Sequence, residues 1–288
     1  MSIKLESKKQ SKELVMKEHN SVLPLSERPD YLPQDVKITG IEALGPSDFK
    51  TPRVVLLQGL SPELKLYAGL AKVDEYWHNG MNVPLGKEFR FVPILTNVRV
   101  FLFRPRDDQG GGILAMSKNG RDWDGAGANQ TFSVKLKGMK DPVEWKTKSN
   151  VLSSRLTEFG TSDVTNPQSA PAASRIYEYL CYLPDYPDLS PCAFSLAKTA
   201  VPNGKAFNTI LTMFARKRIP SYSLNAIAKI ETKHKNTNVW TVPILSIDGH
   251  ITGDIYRITK EIAETYGPID VEYTQDDAEM KVDDKIEY

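Results

Sequence analysis

Between residues 89 and 117 the sequence reads FRFVPIL (89–95), VRVFLFR (98–104) and GILAMS (112–117), with turn residues between the runs. β-Branched and aromatic residues dominate these runs, which is typical of short β-strands. Along VRVFLFR the side chains alternate between two faces, so we expect one buried face. The sequence therefore predicts a group of antiparallel strands at the centre of the chain.

Further strands are predicted on both sides of a polar, proline-containing segment at 160–174, which we interpret as a flexible excursion or linker. The segment 118–130, KNGRDWDGAGANQ, has too little apolar content for a core element and is predicted to be a long loop. The later strands are TFSVKL (131–136), VEWKT (143–147), RIYEYLCYL (175–183), PCAFSLAKT (191–199), YSLNAIAKIETK (222–233) and NVWTVPILSI (238–247).

Two amphipathic helices accompany these strands. In NGKAFNTILTMFAR (203–216) apolar residues recur at i, i+3, i+4 and i+7, the spacing of one helix face. A second helix is predicted to be capped by Asp254. Its apolar face comprises Ile255, Ile258, Ile262 and Tyr266. Near the N-terminus, Thr51-Pro52 before RVVLLQGL (53–60) is compatible with a helix start or a buried strand. A mainly β protein with a few helices, built as a small closed barrel with insertions, fits this pattern best.

Composition limits the class of protein. The 288 residues are 40% hydrophobic and 25% charged, which excludes disorder of the whole chain, and a net charge of +1 excludes a general polycation. Cys181 and Cys192, with four histidines, are too few for a disulfide framework or a zinc module. No signal sequence and no apolar run of about 20 residues is present, so we expect a cytoplasmic protein without membrane contact or cofactor.

Charge is unevenly distributed. The last nineteen residues contain eight acids and two lysines, so the remainder of the chain is net basic. Such a tail buries little surface and is expected to be mobile, either as a solubilising terminus or as a competitor for a cationic groove. The predicted organisation is an N-terminal helical arm and connector (1–35), a binding domain (36–269) and a flexible acidic tail (270–288).

Aromatic residues alternate with lysine and arginine within 132–148, 177–207 and 216–240. Cations neutralise phosphates and aromatic rings stack on unpaired bases, so a groove for single-stranded nucleic acid requires this mixture. For each individual ring, burial in the core remains an alternative.

One enzymatic pattern is also present. Asp122 or Asp124, followed by Glu144 and Lys146, has the order of an acid and a Glu-x-Lys that Mg²⁺-dependent nucleases use. Because no helix pattern surrounds these acids, we favour a non-enzymatic protein over a nuclease. A transcription accessory factor or virion structural protein, with little affinity for oligonucleotides, is a further alternative.

The chain resembles phage-type single-stranded-DNA-binding proteins of replication and recombination. The resemblance is carried by TPRVVLLQGLSPE (51–63), LGKEFRFVPI (85–94) to VRVFLFRPRDD (98–108), SLAKT (195–199) with GKAFNTIL (204–211), and DDKIEY (283–288). It implies an oligonucleotide-binding (OB) barrel, coating of single-stranded DNA, and recruitment of replication or recombination proteins by an acidic tail with a final aromatic residue. Some members carry a cysteine-rich metal hairpin, but residues 118–130 contain no cysteine, so no metal is expected.

On this resemblance, specific residues are expected to bind DNA or partners, in the host cytoplasm if the protein is phage-encoded. A homo-oligomer is compatible with it. The expected stacking residues are Trp145, Tyr177, Tyr179, Tyr222 and Trp240. The expected phosphate contacts are Lys135, Lys137, Lys146, Lys148, Lys198, Lys205, Arg216 and Arg218. The expected partner contacts are Asp283, Asp284, Glu287 and Tyr288.

Overall fold

The computed structural model describes residues 50–104, 112–124, 131–235 and 238–266. The chain divides into two compact units, 1–49 and 50–288, and the described residues all belong to the second. The boundaries predicted at residues 35 and 269 lie outside the described residues. The strands in the described part are β1 (Arg53–Leu56), β2 (Tyr76–His78), β3 (Val83–Gly86), β4 (Glu88–Phe103), β5 (Ile113–Ser117), β6 (Thr131–Val134), β7 (Val143–Lys146), β8 (Ala173–Tyr182), β9 (Cys192–Leu196), β10 (Leu224–Lys235) and β11 (Asn238–His250). The α-helices there are α1 (Glu63–Leu66), α2 (Val151–Ser154), α3 (Val201–Arg216) and α4 (Gly253–Thr265).

Strand β4 is longer than any run predicted from the sequence. FRFVPIL and VRVFLFR form one strand, because Thr96 and Asn97 between them continue the ladder with β8. The register between β4 and β8 shifts at Pro93. Proline has no backbone N–H to donate to the ladder, and it is tolerated at such an irregularity because regular pairing is interrupted there. The expectation of one buried face was wrong at the end of the strand, where adjacent Phe101 and Leu102 are 2% and 1% exposed.

The main sheet is a strongly curled half-barrel. Its strands follow the order β11-β10-β4-β8-β9-β1-β2-β3, and β5 pairs with the end of β4. Strands β10, β4, β8 and β9 form a Greek key, because the fourth strand in the chain returns to lie beside the first. Helix α3 connects β9 to β10. These features confirm the prediction of a mainly β, OB-like barrel with insertions.

Side-chain hydrogen bonds connect the two ends of the curled sheet. Tyr76 on β2 donates its hydroxyl proton to the carbonyl oxygen of Lys229 on β10, at 3.0 Å. Thr241 on β11 donates to a carboxylate oxygen of Asp74, which precedes β2, at 2.7 Å. The strand order contains no ladder between these two ends within the described residues. The barrel is therefore partly open, as OB barrels are.

The two long helices pack on opposite faces of the sheet. Phe207 of α3 is buried in the barrel core, with ring centroids 5.9 Å from Phe91 and 5.5 Å from Tyr179. Helix α4 covers the outer face of β4, β8 and β9. Two details of α4 differ from the prediction. Ile258, predicted to lie on the apolar face, is 43% exposed. The N-cap position is occupied by Thr252, so Asp254 lies in the first turn of the helix, where it forms an ion pair with Arg257. No helix in the described residues is long and apolar enough to cross a membrane.

The segment between β4 and β8 is an insertion with its own core. Two sequence expectations fail here. Trp123, in the predicted polar loop, is fully buried and contacts Phe132 of β6. The predicted linker is folded back on itself, since Gly160 N–H donates to Ser169 O at 2.7 Å and Ser162 N–H to Ala170 O at 3.0 Å. Backbone hydrogen bonds order this segment without the apolar pattern that sequence analysis detects.

Candidate nucleic-acid interface

Two of the predicted stacking residues are core residues. Tyr177 and Tyr179 are 6% and 0% exposed, and both belong to the barrel core. The Tyr179 hydroxyl donates to Asn208 Oδ1 of α3 at 2.9 Å, and burial raises the pKa of this tyrosine. No base can stack on either ring in this conformation. The stacking prediction is corrected at these positions, because the sequence pattern does not distinguish a groove face from a core face.

The outer face of β8 is also closed. Glu178, fully buried there, accepts a hydrogen bond from Asn97 Nδ2 at 2.8 Å and pairs with Arg99 Nε at 2.9 Å. Leu180 and Tyr182 on the same face are covered by α4. Nucleic acid therefore has no access to either face of β8 in the described conformation.

The other three aromatic candidates are half-buried. Trp145 lies opposite Phe132 in the β6–β7 hairpin and packs against the core of the insertion. Tyr222 packs beside α4, 5.8 Å from the ring of Tyr256, and burial raises its pKa. Trp240 lies directly opposite Lys233 in the β10–β11 hairpin, on the side away from the barrel core. Of the five, Trp240 has the geometry closest to a base platform beside a cation.

Helix α3 lies in a stretch of sequence that contains cations but no acids. No aspartate or glutamate occurs from Leu189 to Ile230, a stretch that contains α3 and the turns at both of its ends. Lys205 and Arg216 are exposed on the helix, and Arg218 is exposed in the turn after it. None of these three forms an ion pair with a described residue, so their charge is available to a polyanion.

Two predicted phosphate contacts at the ends of α3 have left-handed backbone conformations. Lys198 has φ 54° and Arg218 has φ 60°. At Arg218 the N–H donates to Ala215 O at 2.9 Å and the next N–H, of Ile219, donates to Phe214 O at 3.1 Å. This is a Schellman motif, in which glycine is the usual residue at the position of Arg218. A strained cation in place of glycine is a feature associated with functional sites.

A second group of candidates surrounds a cleft of about 610 Å³ in the insertion. Lys135 and Lys137 line it, together with Arg104, which the sequence analysis missed although it ends the run VRVFLFR. Lys137 pairs with Asp163 at 3.0 Å. Hydrogen bonds from Thr165, followed by that from Lys137, lower the pKa of Asp163 to about 2. The described residues that line the cleft include three cations and no acid.

Lys146 and Lys148 are exposed near the β6–β7 hairpin but do not line the cleft. Lys148 also has a positive φ, of 64°. The predicted DNA-binding cations thus form two separate groups, one around α3 and one on the insertion. The partner-contact residues Asp283, Asp284, Glu287 and Tyr288 lie outside the described residues.

The two aspartates of the nuclease pattern are engaged in loop contacts, whereas Glu144 is exposed on β7. Asp124 accepts a hydrogen bond from the backbone N–H of Lys118 at 2.6 Å, and Asp122 accepts one from Asn119 Nδ2 at 3.4 Å. Among the described residues, no three histidine, cysteine, aspartate or glutamate side chains converge as metal ligands would. Cys181 and Cys192 lie opposite each other in the core as buried thiols, and burial raises the pKa of Cys192 to about 12.

Comparison with known proteins identifies a family. No curated protein and no solved structure matches the chain. The family model for the Pam3 phage gp34-like protein matches residues 17–268, which include every described residue. The chain therefore belongs to the Pam3 phage gp34-like protein family.

Proposed function

We propose that this phage-family protein is a non-enzymatic single-stranded-DNA-binding protein of replication or recombination. The observation that carries the proposal is the acid-free stretch from Leu189 to Ile230, which folds so that Lys205, Arg216 and Arg218 are exposed around α3. A polyanion gains affinity from each cation that replaces a counterion. The absence of acids from this stretch matters because a carboxylate on the same helix would repel phosphate.

The fold supports the same proposal. OB-like barrels bind oligonucleotides through the second and third strands and the loops beside them. Here β8 and β9 take the places of those strands, but both faces of β8 are closed. We therefore place the DNA path along α3 and the β10–β11 hairpin, where Trp240 supplies a ring and Lys233 lies opposite it. Lys233 also pairs with Glu231, so α3 contributes more of the unpaired charge.

The acidic tail is proposed to recruit replication or recombination proteins through Asp283, Asp284, Glu287 and Tyr288. Its high charge density also makes it a competitor for the cationic surface when no DNA is bound. The support for both roles is the charge pattern of residues 270–288 alone.

An interaction protein, such as a transcription accessory or virion component, is the second candidate. It is favoured by apolar side chains that project from the segment between β1 and β2. Leu60 is 88% exposed and Leu66 is 74% exposed, which is unusual for leucine on a surface without a partner. Under this alternative, α3 would contribute solubility and the protein would bind oligonucleotides weakly.

Fluorescence anisotropy with labelled single- and double-stranded oligonucleotides over a salt series tests the proposal. We expect preference for the single strand and a linear fall of log affinity with log salt, at a slope of about −0.7 per neutralised phosphate. The Lys205→Gln, Arg216→Gln double variant should lower that slope. A matched control, Arg257→Gln with Lys260→Gln, removes the same charge from exposed positions of α4, which packs on the opposite face of the sheet from α3.

Three results would overturn the proposal. Equal affinity for single strand and duplex would contradict it, as would equal losses in the two double variants. Mg²⁺-dependent shortening of the oligonucleotide, followed on a denaturing gel, would favour the nuclease alternative.

Trp240→Ala should weaken single-strand binding by about tenfold if its ring stacks on a base, with little change in melting temperature.

A further inference from the structure

The cleft in the insertion has the dimensions and walls of a small-ligand site. Its volume of about 610 Å³ lies within the range of about 300–1,000 Å³ that such sites occupy. Leu114 of β5 supplies apolar surface on one side, with the buried Leu102 of β4 behind it. Leu136 and Met139, from the loop between β6 and β7, supply it on another. A flat apolar group could be enclosed between them.

Among the described residues that line the cleft, every charged side chain is a cation. Arg104, Lys135 and Lys137 line it, and the carboxylate of Asp163, next to the lining residue Ser162, is held by Lys137 and Thr165. Lys135 is exposed and makes no ion pair with a described residue. A ligand that suits this lining has an anionic group beside an apolar ring, which describes a nucleotide.

The loop between β6 and β7 is fixed in its backbone and adaptable in its side chains. Gly138 has φ 84°, and a Cβ atom there would lie 2.6 Å from Thr165 Cγ2, so the loop packs closely against its neighbour. Val164 N–H also donates to Lys137 O at 3.0 Å. Behind the loop, a second cavity of about 130 Å³ is lined by Met139 and Trp145. That space allows the flexible Met139 side chain to move when a ring enters.

We propose that this cleft binds one unpaired nucleotide, with its phosphate at Lys135 and its base against Leu136 and Met139. The proposal rests on the proposed function and adds to it a second contact with DNA, which binding along α3 does not itself require. A nucleotide within a strand and a free nucleotide both carry a phosphate beside a base, so the ligand class is a nucleoside monophosphate unit.

Titration calorimetry of the full chain with dTMP tests this site. Thymidine and inorganic phosphate serve as separate probes, and each should bind more weakly than dTMP because each fills only half of the cleft. Lys135→Gln should weaken dTMP binding about three- to tenfold through loss of one charge-assisted hydrogen bond. Lys140→Gln is the matched control, since Lys140 is exposed on the same loop but does not line the cleft. Met139→Trp should fill the cleft and abolish binding, and its melting temperature shows whether the variant is folded.

The proposal is overturned if dTMP does not bind at millimolar concentration, or if phosphate or thymidine alone binds as well as dTMP. It also fails if Lys135→Gln and Lys140→Gln have equal effects. Anisotropy with a labelled oligo(dT), measured on the same variants, separates this failure from that of the proposed function. If the wild type binds oligo(dT) but not dTMP, only the nucleotide site is rejected. If the wild type binds neither probe, DNA binding itself is rejected.

Discussion

Replacing Arg218 by glycine is expected to stabilise the fold and weaken DNA binding at the same time. Arg218 occupies the glycine position of the Schellman motif after α3, with φ 60°. The left-handed conformation is unfavourable by about 1–2 kcal/mol for an L-residue. Glycine removes this strain but loses about 0.5–1 kcal/mol more backbone entropy on folding. The net gain lies between about 0 and 1.5 kcal/mol, and its central value of about 0.75 kcal/mol corresponds to a rise of roughly 1.5–3 °C in melting temperature for a domain of this size.

The effect on binding follows from counterion release. One phosphate contact contributes a slope of about −0.7 to the plot of log affinity against log salt. With that slope, one phosphate contact raises the affinity about eightfold at 50 mM salt and about fourfold at 150 mM salt, relative to its contribution at 1 M salt. Loss of the Arg218 side chain should therefore weaken single-strand binding by these factors and make the slope shallower by about 0.7.

Arg155→Gly is the matched control. Arg155 ends α2 with φ 58°, and its side chain pairs with Glu158 instead of facing the α3 surface. The same relief of backbone strain is expected, reduced by loss of an exposed ion pair of about 0–1 kcal/mol. Thermal melting followed by circular dichroism gives the stabilities, and anisotropy over a salt series gives the affinities and slopes.

The reasoning is refuted if Arg218→Gly leaves affinity and slope unchanged, because the strained cation would then have no role in binding. Equal loss of affinity in both variants would mean that the effect is nonspecific. A fall in melting temperature for Arg218→Gly, with binding unchanged, would show that the arginine stabilises the end of α3 through the helix dipole.

Three further predictions concern packing, pH and the tail. Gly204→Ala should destabilise the protein by about 1–3 kcal/mol in denaturant unfolding, because the new Cβ would lie 2.5 Å from Tyr177 Cδ2; a more stable variant would show that helix propensity outweighs this contact. Asp163 has a pKa lowered from 3.8 to about 2, so its contribution is present above pH 4 and is lost as the pH falls toward 2. The melting temperature of Asp163→Asn should therefore fall less than that of the wild type between pH 5 and 2.5, and parallel curves would contradict the hydrogen bonds that Asp163 accepts from Thr165 and Lys137. Truncation after Ile269 should tighten single-strand binding in anisotropy at low salt, with a gain that shrinks as salt rises; unchanged affinity would leave the tail a solubilising terminus.

Local patterns were sufficient for the type of most elements. The period of NGKAFNTILTMFAR predicts α3, and the alternating runs predict β8 to β11, because side-chain periodicity reports which face is buried. The same reasoning was wrong for Trp123 and for the segment 160–174. Trp123 is buried by a core that assembles from distant strands. Residues 160–174 are held by backbone hydrogen bonds and by polar side chains such as Ser169, neither of which produces an apolar period in the sequence.

Composition and charge order alone determine that the chain has a basic body and an acidic C-terminal segment, and that α3 lies in an acid-free stretch. Those properties depend only on residue identity. Which aromatic rings are available to a ligand is decided by tertiary structure. Tyr177, Tyr179 and Trp240 are equivalent in a sequence pattern, yet only Trp240 lies outside the core, because the curl of the sheet and the packing of α3 close one face of β8 and α4 helps to close the other. The cleft in the insertion is likewise a tertiary feature, since its cations come from β4 and from the loop after β6, which the fold brings together.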